Sequence, residues 1–476
     1  MSSMIYGLLN NAKSALFTQQ KAIDVTANNI ANVNTEGYSR QRLSVKQNGQ
    51  INYEGGTLNS GVQTTTSIQR IYDRFLSSQL SDAAAQKGRW QAQKDTLEKA
   101  ELMFGDASGY GLNSAMGEFF SSWQEVANNP SGFTERAALL ADAQSMTELF
   151  NKLDRDLNQV QSDSDLSIIG TVEDINTLSR EIADLNLKIA EVENGSEHIA
   201  NEFRDHRDMK LKELSELIEV NSFEDDNGYL TIATANGHNL VEGARSWQLT
   251  TESTTDGFKD VFWESSSGTL NNITDEISTG KLKGWIEARD EIIPDYRSRL
   301  DDLAQKMAET VNEQHHLGRD LYGHEGLDFF VSASGGPVTG AAELVVNNTI
   351  LDDTNLVAAG EYDASTDGVV LMGDNTNAIA MAGIQGRLVM SGDTSTMDDF
   401  YNSLVSDAGR FVSQATANAD HQAAVSLQLE TYREEISGVS LDEEMVNLVQ
   451  FQSAYAAAAK LVTAADEMLQ TVINMV

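Results

Sequence analysis

Cysteine is absent from this 476-residue chain. A disulfide framework, a thiolate metal site and a cysteine nucleophile are therefore excluded. Proline is scarce. Pro130, Pro294 and Pro337 are the three present, which suits long uninterrupted helices. No segment approaches the ~18 apolar residues of a membrane-spanning helix. The opening residues MSSMIYGLLNNAKSALF lack a basic n-region, and Asn10, Asn11 and Lys13 break the apolar run, so this is no secretory signal. By these tests the chain reads as cytoplasmic, unless an export route recognises another signal. Positive charge is also short. The formal net charge is −39. Residues 1–100 carry 11 Lys/Arg against 7 Asp/Glu and the remainder 22 against 65, giving +4 and −43. Such an acidic surface disfavours nucleic acid and anionic membranes.

Catalytic patterns are missing too. There is no G-x-S-x-G, H-E-x-x-H or P-loop. His315 and His316, with His324 and Asp320 nearby, could be drawn as a metal site but read as loop histidines at a helix end. Asp363 to Asp374 follows calcium-loop spacing, but it ends in Asp rather than Glu and its flanks read as strands. An Asx turn leading into a hairpin is the better reading, and calcium there stays open. No catalytic, cofactor or metal residues are assigned.

The chain does have two patterned ends. Steps of four and three from Ile5 reach Leu9, Ala12, Leu16, Gln19, Ile23, Thr26, Ile30 and Val33, seven of nine apolar. This is a coiled-coil-like seam. Near the other end, Ser440-Leu441-Asp442-Glu443 forms a capping box. From Leu441 the same steps reach Met445, Leu448, Gln452, Tyr455, Ala459, Val462, Asp466, Leu469, Ile473 and Val476. A second stripe, Leu461, Ala465, Met468, Val472 and Met475, covers another face. The simple expectation pairs the two helices within the chain. A helix apolar on two faces also wants a further neighbour, which subunits of an assembly would supply.

Between seam and body lies ANNIANVNTEGYSRQ, Ala27 to Gln41. Asn28, Asn29, Asn32 and Asn34 can bond free carbonyls at a helix end, and Gly37 offers a positive-φ exit. Alternation follows at Leu43, Val45, Ile51 and Tyr53. A local helix stop explains one asparagine and the glycine, not four asparagines. NNIANVNTEGYSRQ resembles the N-terminal motif of the bacterial flagellar axial proteins. Its ending Tyr38-Ser39-Arg40-Gln41 is similar to the hook-associated protein 1 family (FlgK family), as are Ser437 to Val476 and FFSSWQEVANNPS, Phe119 to Ser131. The likeness is strong at both ends and runs through the helical region to about Val220. The chain looks short for that family, which suggests a smaller outer domain.

The middle reads as helical over 70–220. Val172, Ile175, Ser179, Ile182, Leu185, Ile189 and Val192 repeat a heptad that Asn194-Gly195 ends. Another helix spans about 284–317, where Pro294 marks a kink or restart. Asn227-Gly228 and Asn236-Gly237 predict hairpins around a strand, Tyr229–Thr234. The fold class is therefore α+β: long terminal coiled-coil-like helices and a helical rod domain with an inserted β-rich outer domain. The expected divisions are 1–34 with 440–476 as terminal core or inner tube, and 35–220 with 284–326 and 396–439 as helical rod, including a short β segment near 40–68. Residues 221–283 and 327–395 are the β-rich outer part.

The resemblance implies a non-enzymatic structural protein at the hook–filament junction, needed for filament assembly and motility. The implied assembly seam is Ile5, Leu9, Leu16, Ile23, Ile30 and Val33 with Leu441, Met445, Leu448, Tyr455, Val462, Leu469 and Ile473. The implied partners are copies of itself in a helical ring, the hook protein, hook-associated protein 3, and an export chaperone on the C-terminal helix. The implied location is extracellular, reached through flagellar type III export without a cleaved signal. A rod or hook protein of the same superfamily shares the asparagine motif, but the long helical region argues against it. A secreted acidic hydrolase is a more distant alternative.

Overall fold

The computed structural model describes every residue except Met1, 48–50, 54–55, 59–63, 106–110, 195–198, 226, 255–256, 370 and 474–476. Helix α1 (Ser2–Ala31) opens the chain. Four short strands follow: β1 (Gln41–Gln47), β2 (Ile51–Tyr53), β3 (Gly56–Leu58) and β4 (Thr64–Arg70). β1 pairs with β4, and β2 with β3, both antiparallel. The body begins with α2 (Arg74–Phe104), α3 (Leu112–Asn128), α4 (Phe133–Glu193) and α5 (Asn201–Leu217). At 61 residues α4 is about 90 Å long. No helix among the described residues is long and apolar enough to cross a membrane.

A β unit comes next. β5 (Val220–Glu224), β6 (Leu230–Thr234), β7 (Asn239–Glu242) and β8 (Arg245–Ser246) form one sheet in that order. β9 (Leu249–Ser253), β10 (Lys259–Glu264) and β11 (Leu270–Asn272) form a second. The Asn-Gly turns sit between β5, β6 and β7, with φ of +82° at Gly228 and +89° at Gly237. Ile232, Val241 and Val261 pack with Ile168, Val172, Ile175 and Ile182 of α4, so the strands cover the heptad face of that helix. Leu185 is half-buried and Val192 exposed where the helix outruns the sheet; Gly195 lies outside the described residues.

Helix α6 (Lys281–Glu287) passes through a π-turn at Ala288–Ile292 into α7 (Ile293–His316). Pro294 lies in the first turn of α7. The wider turn falls where the missing proline N–H would interrupt the i→i−4 ladder anyway, so the helix restarts there. The turn also carries buried Arg289, which pairs with Asp165 of α4 at 2.6 Å and donates to Lys259 O of β10 at 2.6 Å.

Residues 327–395 differ from the β-rich expectation. β12 (Gly318–Arg319) pairs with β15 (Gly360–Glu361), and β13 (Phe330–Ser332) with β14 (Leu344–Val346). The rest is turns and short helices, among them α8 (Asn348–Asp352) and α9 (Thr376–Ala382). Their Gly, Asp and Thr serve as turn and cap residues, not as strands: Asn347 caps α8 and Asp374 accepts from Thr376 N. The segment folds onto the main core. Phe329, Phe330, Ile350, Val357 and Met381 share one cluster with Phe119, Phe120 and Trp123 of α3 and Tyr296 of α7. Helix α10 (Met397–Ser437) returns along α2. Helix α11 (Leu441–Ile473) ends the described chain.

α1 and α11 pack side by side. Asn29, near the end of one, bonds Glu444, near the start of the other, so they run antiparallel. The buried positions are mostly small: Ala12, Ala22, Val25, Thr26 and Asn29 face inward on α1, and Glu444, Ala458 and Ala465 on α11. Of the stripe drawn from the sequence, Ala12 and Thr26 lie on this line, while its larger residues lie to the side. Leu9, Leu16, Ile23, Ile30 and Val33 are half-buried, as are Leu448, Val462 and Leu469. Leu441, Met445, Tyr455 and Ile473 are exposed. Ile5 belongs to α1, but its side chain lies outside the described ones.

His315, at the end of α7, is fully buried. Its Nδ1 donates to Leu327 O at 2.5 Å and its Nε2 accepts from Ala358 N at 2.9 Å. Both nitrogens are thus engaged and neither is free for a metal. Burial lowers its pKa to about 4. The unfolded chain binds this proton near pH 6.5, so acid favours unfolding from that pH down to the folded value. We expect this group to cost roughly 3 kcal/mol of stability between pH 6.5 and 4. Denaturant melts of the parent and of His315→Gln over that range check it: the slope difference between the two chains should vanish above pH 7.

Candidate functional site

The asparagine-rich turn is where the terminal helices meet the body. α1 stops at Ala31 because its last carbonyls are recaptured locally: Asn32 returns its backbone N–H to Asn28 O at 3.1 Å and its Nδ2 to the same oxygen at 3.0 Å. Thr35 closes the turn on Asn32 Oδ1 at 3.3 Å. Gly37 then reverses the chain at φ +80°. A side chain there would also strike Met209 of α5, with a Cβ 2.0 Å from its sulfur.

Asn29 is the centre, 1% exposed. Its Oδ1 accepts from Gln41 N and from Tyr38 OH, each at 2.9 Å. Its Nδ2 donates to Gln41 O at 2.9 Å and to Glu444 Oε2 at 3.1 Å. Two donors and two acceptor sites are all used. Glu444, 2% exposed, receives Arg40 on its other oxygen, from Nε at 2.8 Å and Nη2 at 2.7 Å. Arg40 Nη1 reaches Glu443 at 2.8 Å. Of the expected capping box, Ser440 Oγ accepts from Glu443 N at 3.5 Å, while the Glu443 carboxylate is on Arg40.

The same short stretch grips the body. Arg40 N donates to Ser437 O at the end of α10, and Arg40 O accepts from Ile71 N, both at 2.8 Å. Ser39 N donates to Asp205 of α5 at 3.1 Å, and Arg70 pairs with Asp205 at 3.0 Å and Asp208 at 2.5 Å. Burial, then the charges of Asp205 and Glu444, push the Tyr38 hydroxyl up to about 12, so it remains a donor across the physiological range.

Asn29, Tyr38 and Arg40 are therefore joined around Glu444 and Gln41, while Asn32 and Gly37 shape the turn beside them, Asn28 contributes its backbone oxygen and Asn34 is exposed. Asp205, Asp208, Arg70 and Glu444 join them without having been singled out. Glu444 could have been found as an acid directly beside the capping box on an apolar helix; Asp205 carried no signal in a charge-rich helix. At the calcium-like spacing, Asp363 accepts from Ser365 N and Asp374 from Glu361 N, Thr376 N and Thr376 Oγ1, so both acids act as turn caps. Among the described residues no group of three or more His, Asp or Glu could hold a metal ion.

Residues 97–330 match the flagellar hook-associated protein FlgK helical domain. The whole chain aligns with flagellar hook-associated protein 1 of Bacillus subtilis (strain 168), 30% identical over 509 residues, covering 100% of this chain and 99% of that one. The chain belongs to the flagellar hook-associated protein 1 family. Flagellar hook-associated protein 1 of Escherichia coli (strain K12) is 27% identical over 551 residues, 98% of this chain and 99% of that protein. The ends also match more widely shared segments. Residues 9–38 match the flagella basal body rod protein family and 432–475 the flagellar basal body rod FlgEFG protein C-terminal family. Of the node, Asn29 and Tyr38 fall in the first of these segments and Glu444 in the second, while Arg40, Gln41, Arg70 and Asp205 lie outside both. The fold is that of the flagellar hook junction protein FlgK from Burkholderia pseudomallei, with TM-score 0.67 and 16% identity over 76% of this chain and 100% of that chain.

Removing Asn29 strands Tyr38 OH, the Gln41 amide and one Glu444 oxygen. Asn29→Ala should cost about 2–3 kcal/mol and speed exchange of the Gln41 amide; Asn34→Ala should stay within about 0.5 kcal/mol. Native-state hydrogen exchange and denaturant melts of both variants decide this, and equal losses would contradict the central place given to Asn29.

Proposed function

We propose that this chain is a structural subunit of the bacterial flagellum that forms the junction between hook and filament, and that its terminal helix pair builds the inner wall of that junction. The observation that carries the reading is the division of the apolar residues on α11. Small residues face α1, while Leu441, Met445, Val446, Val449, Tyr455, Leu461, Met468 and Ile473 lie exposed along the helix. An isolated soluble chain has no use for so much exposed apolar surface, whereas neighbouring copies would bury it. The half-buried Leu9, Leu16, Ile23, Ile30 and Val33 flank the pair and extend the same surface.

On this reading the function is assembly, not catalysis. Contacts run between copies in a helical ring, with the hook protein on one side and hook-associated protein 3 on the other. The sticky face of α11 also gives a reason for a chaperone in the cytosol before the chain leaves by flagellar type III export, without a cleaved signal, for the cell exterior. The family resemblance supports these partners and this route.

Two results test the reading. Deleting the gene should leave hooks without filaments, with flagellin free in the medium; normal flagella would overturn the proposal. Met445→Lys with Leu461→Lys should abolish filaments while leaving the stability of the isolated chain within about 1 kcal/mol, because both sites are solvent-facing in the single chain.

A further inference from the structure

Helix α1 packs against β1 and β4. Lys21 of α1 donates to Thr66 at 2.8 Å, which turns Thr66 and its cross-strand partner Val45 toward that helix. By alternation along β1, Arg42 and Lys46 project from the opposite face, and both are exposed. Arg40 and Arg70, on the same stretch of chain, are ion-paired, whereas no described carboxylate lies within 4.0 Å of Arg42 or Lys46. These two exposed cations sit in residues 1–100, which carry net positive charge on an otherwise acidic chain.

The complementary surface lies beside the node. A groove of about 510 Å³ opens between α2, α5 and α10, with Leu76, Leu80 and Met209 in its lining. Eight carboxylates line it against two cations, Lys212 and Arg433. Arg70, Lys210 and Lys281 pair into it from outside, and the excess stays negative.

We propose that the outer face of the β1–β4 hairpin, through Arg42 and Lys46, docks into this groove of a second copy. The inference rests on the assembly reading above. A second copy is the occupant because one chain carries both an exposed basic face and a groove in which eight carboxylates meet five cations, Lys212, Arg433, Arg70, Lys210 and Lys281, leaving an acidic excess. Joining different patches gives a head-to-tail contact that propagates around a ring. Being electrostatic, it governs the encounter and register of subunits more than the final hold.

The absence of cysteine makes the test direct. Lys46→Cys with Thr431→Cys, the latter lining the groove, should give disulfide-linked multiples of the chain in oxidised flagella that collapse on reduction, while each single variant stays monomeric. Filament-bearing cells without such multiples would overturn the docking and leave the junction reading standing; filaments in cells lacking this chain would overturn the junction reading itself. As a second arm that needs no crosslink, Arg42→Gln with Lys46→Gln should reduce the filament-bearing fraction about tenfold with melting of the isolated chain unchanged. A fraction equal to the parent's would count against the contact.

Discussion

The two chain ends are registered on one another by one buried contact, Asn29 and Arg40 on Glu444. The Asn29–Glu444 bond joins residues 415 apart in sequence. The alanine-rich faces of α1 and α11 could slide past one another at small cost, since small side chains fill few specific holes. A carboxylate buried to 2% has no such freedom. Displaced by one residue, it would lose Arg40 and Asn29 together and leave a charge without partners in a dry place, a penalty of several kcal/mol. Polar satisfaction therefore sets the register, and apolar burial merely holds what has been registered. The test on Asn29 addresses this ordering.

The small residues have a second consequence. Two helices that meet through alanine approach closely and hide little apolar area, so most of the large side chains on α11 stay outside the pair. The body behaves in the opposite way. Phe119, Phe120, Trp123, Phe329 and Phe330 stack at ring separations of 5.0–6.5 Å and are buried. The body hides these large side chains, while the terminal pair leaves many of its own exposed.

Much of this was legible in the residues. Heptads marked α1, α4 and α11 because helical periodicity is a local property. The Asn-Gly turns marked β5, β6 and β7 because positive φ has few alternatives to glycine. The face of α11 that meets α1 was not legible. A helix apolar on two sides offers several adjacent stripes, and only the partner decides between them. Residues 327–395 misled in a related way: Gly, Asp and Thr are as common in capped short helices and turns as around strands. Of the node, Asn29 and Arg40 stood in a recognisable motif, but Asp205 did not, since a carboxylate's burial depends on what folds against it.

The links around the node argue that it works as a rigid joint. α10 and α11 are separated by only Gly438, Val439 and Ser440. A side chain at Gly438 would press within 2.3 Å of Glu434 O, so the turn is drawn tight against the helix it leaves. On the other side, Arg40 is held by Ser437 O through its backbone and by Glu443 and Glu444 through its side chain. One residue thus clamps both ends of that three-residue link. Rotating the terminal pair against the body would have to break those bonds together with the Ser39–Asp205 contact. Torque on the terminal helices would accordingly reach α10 and α5 through these bonds.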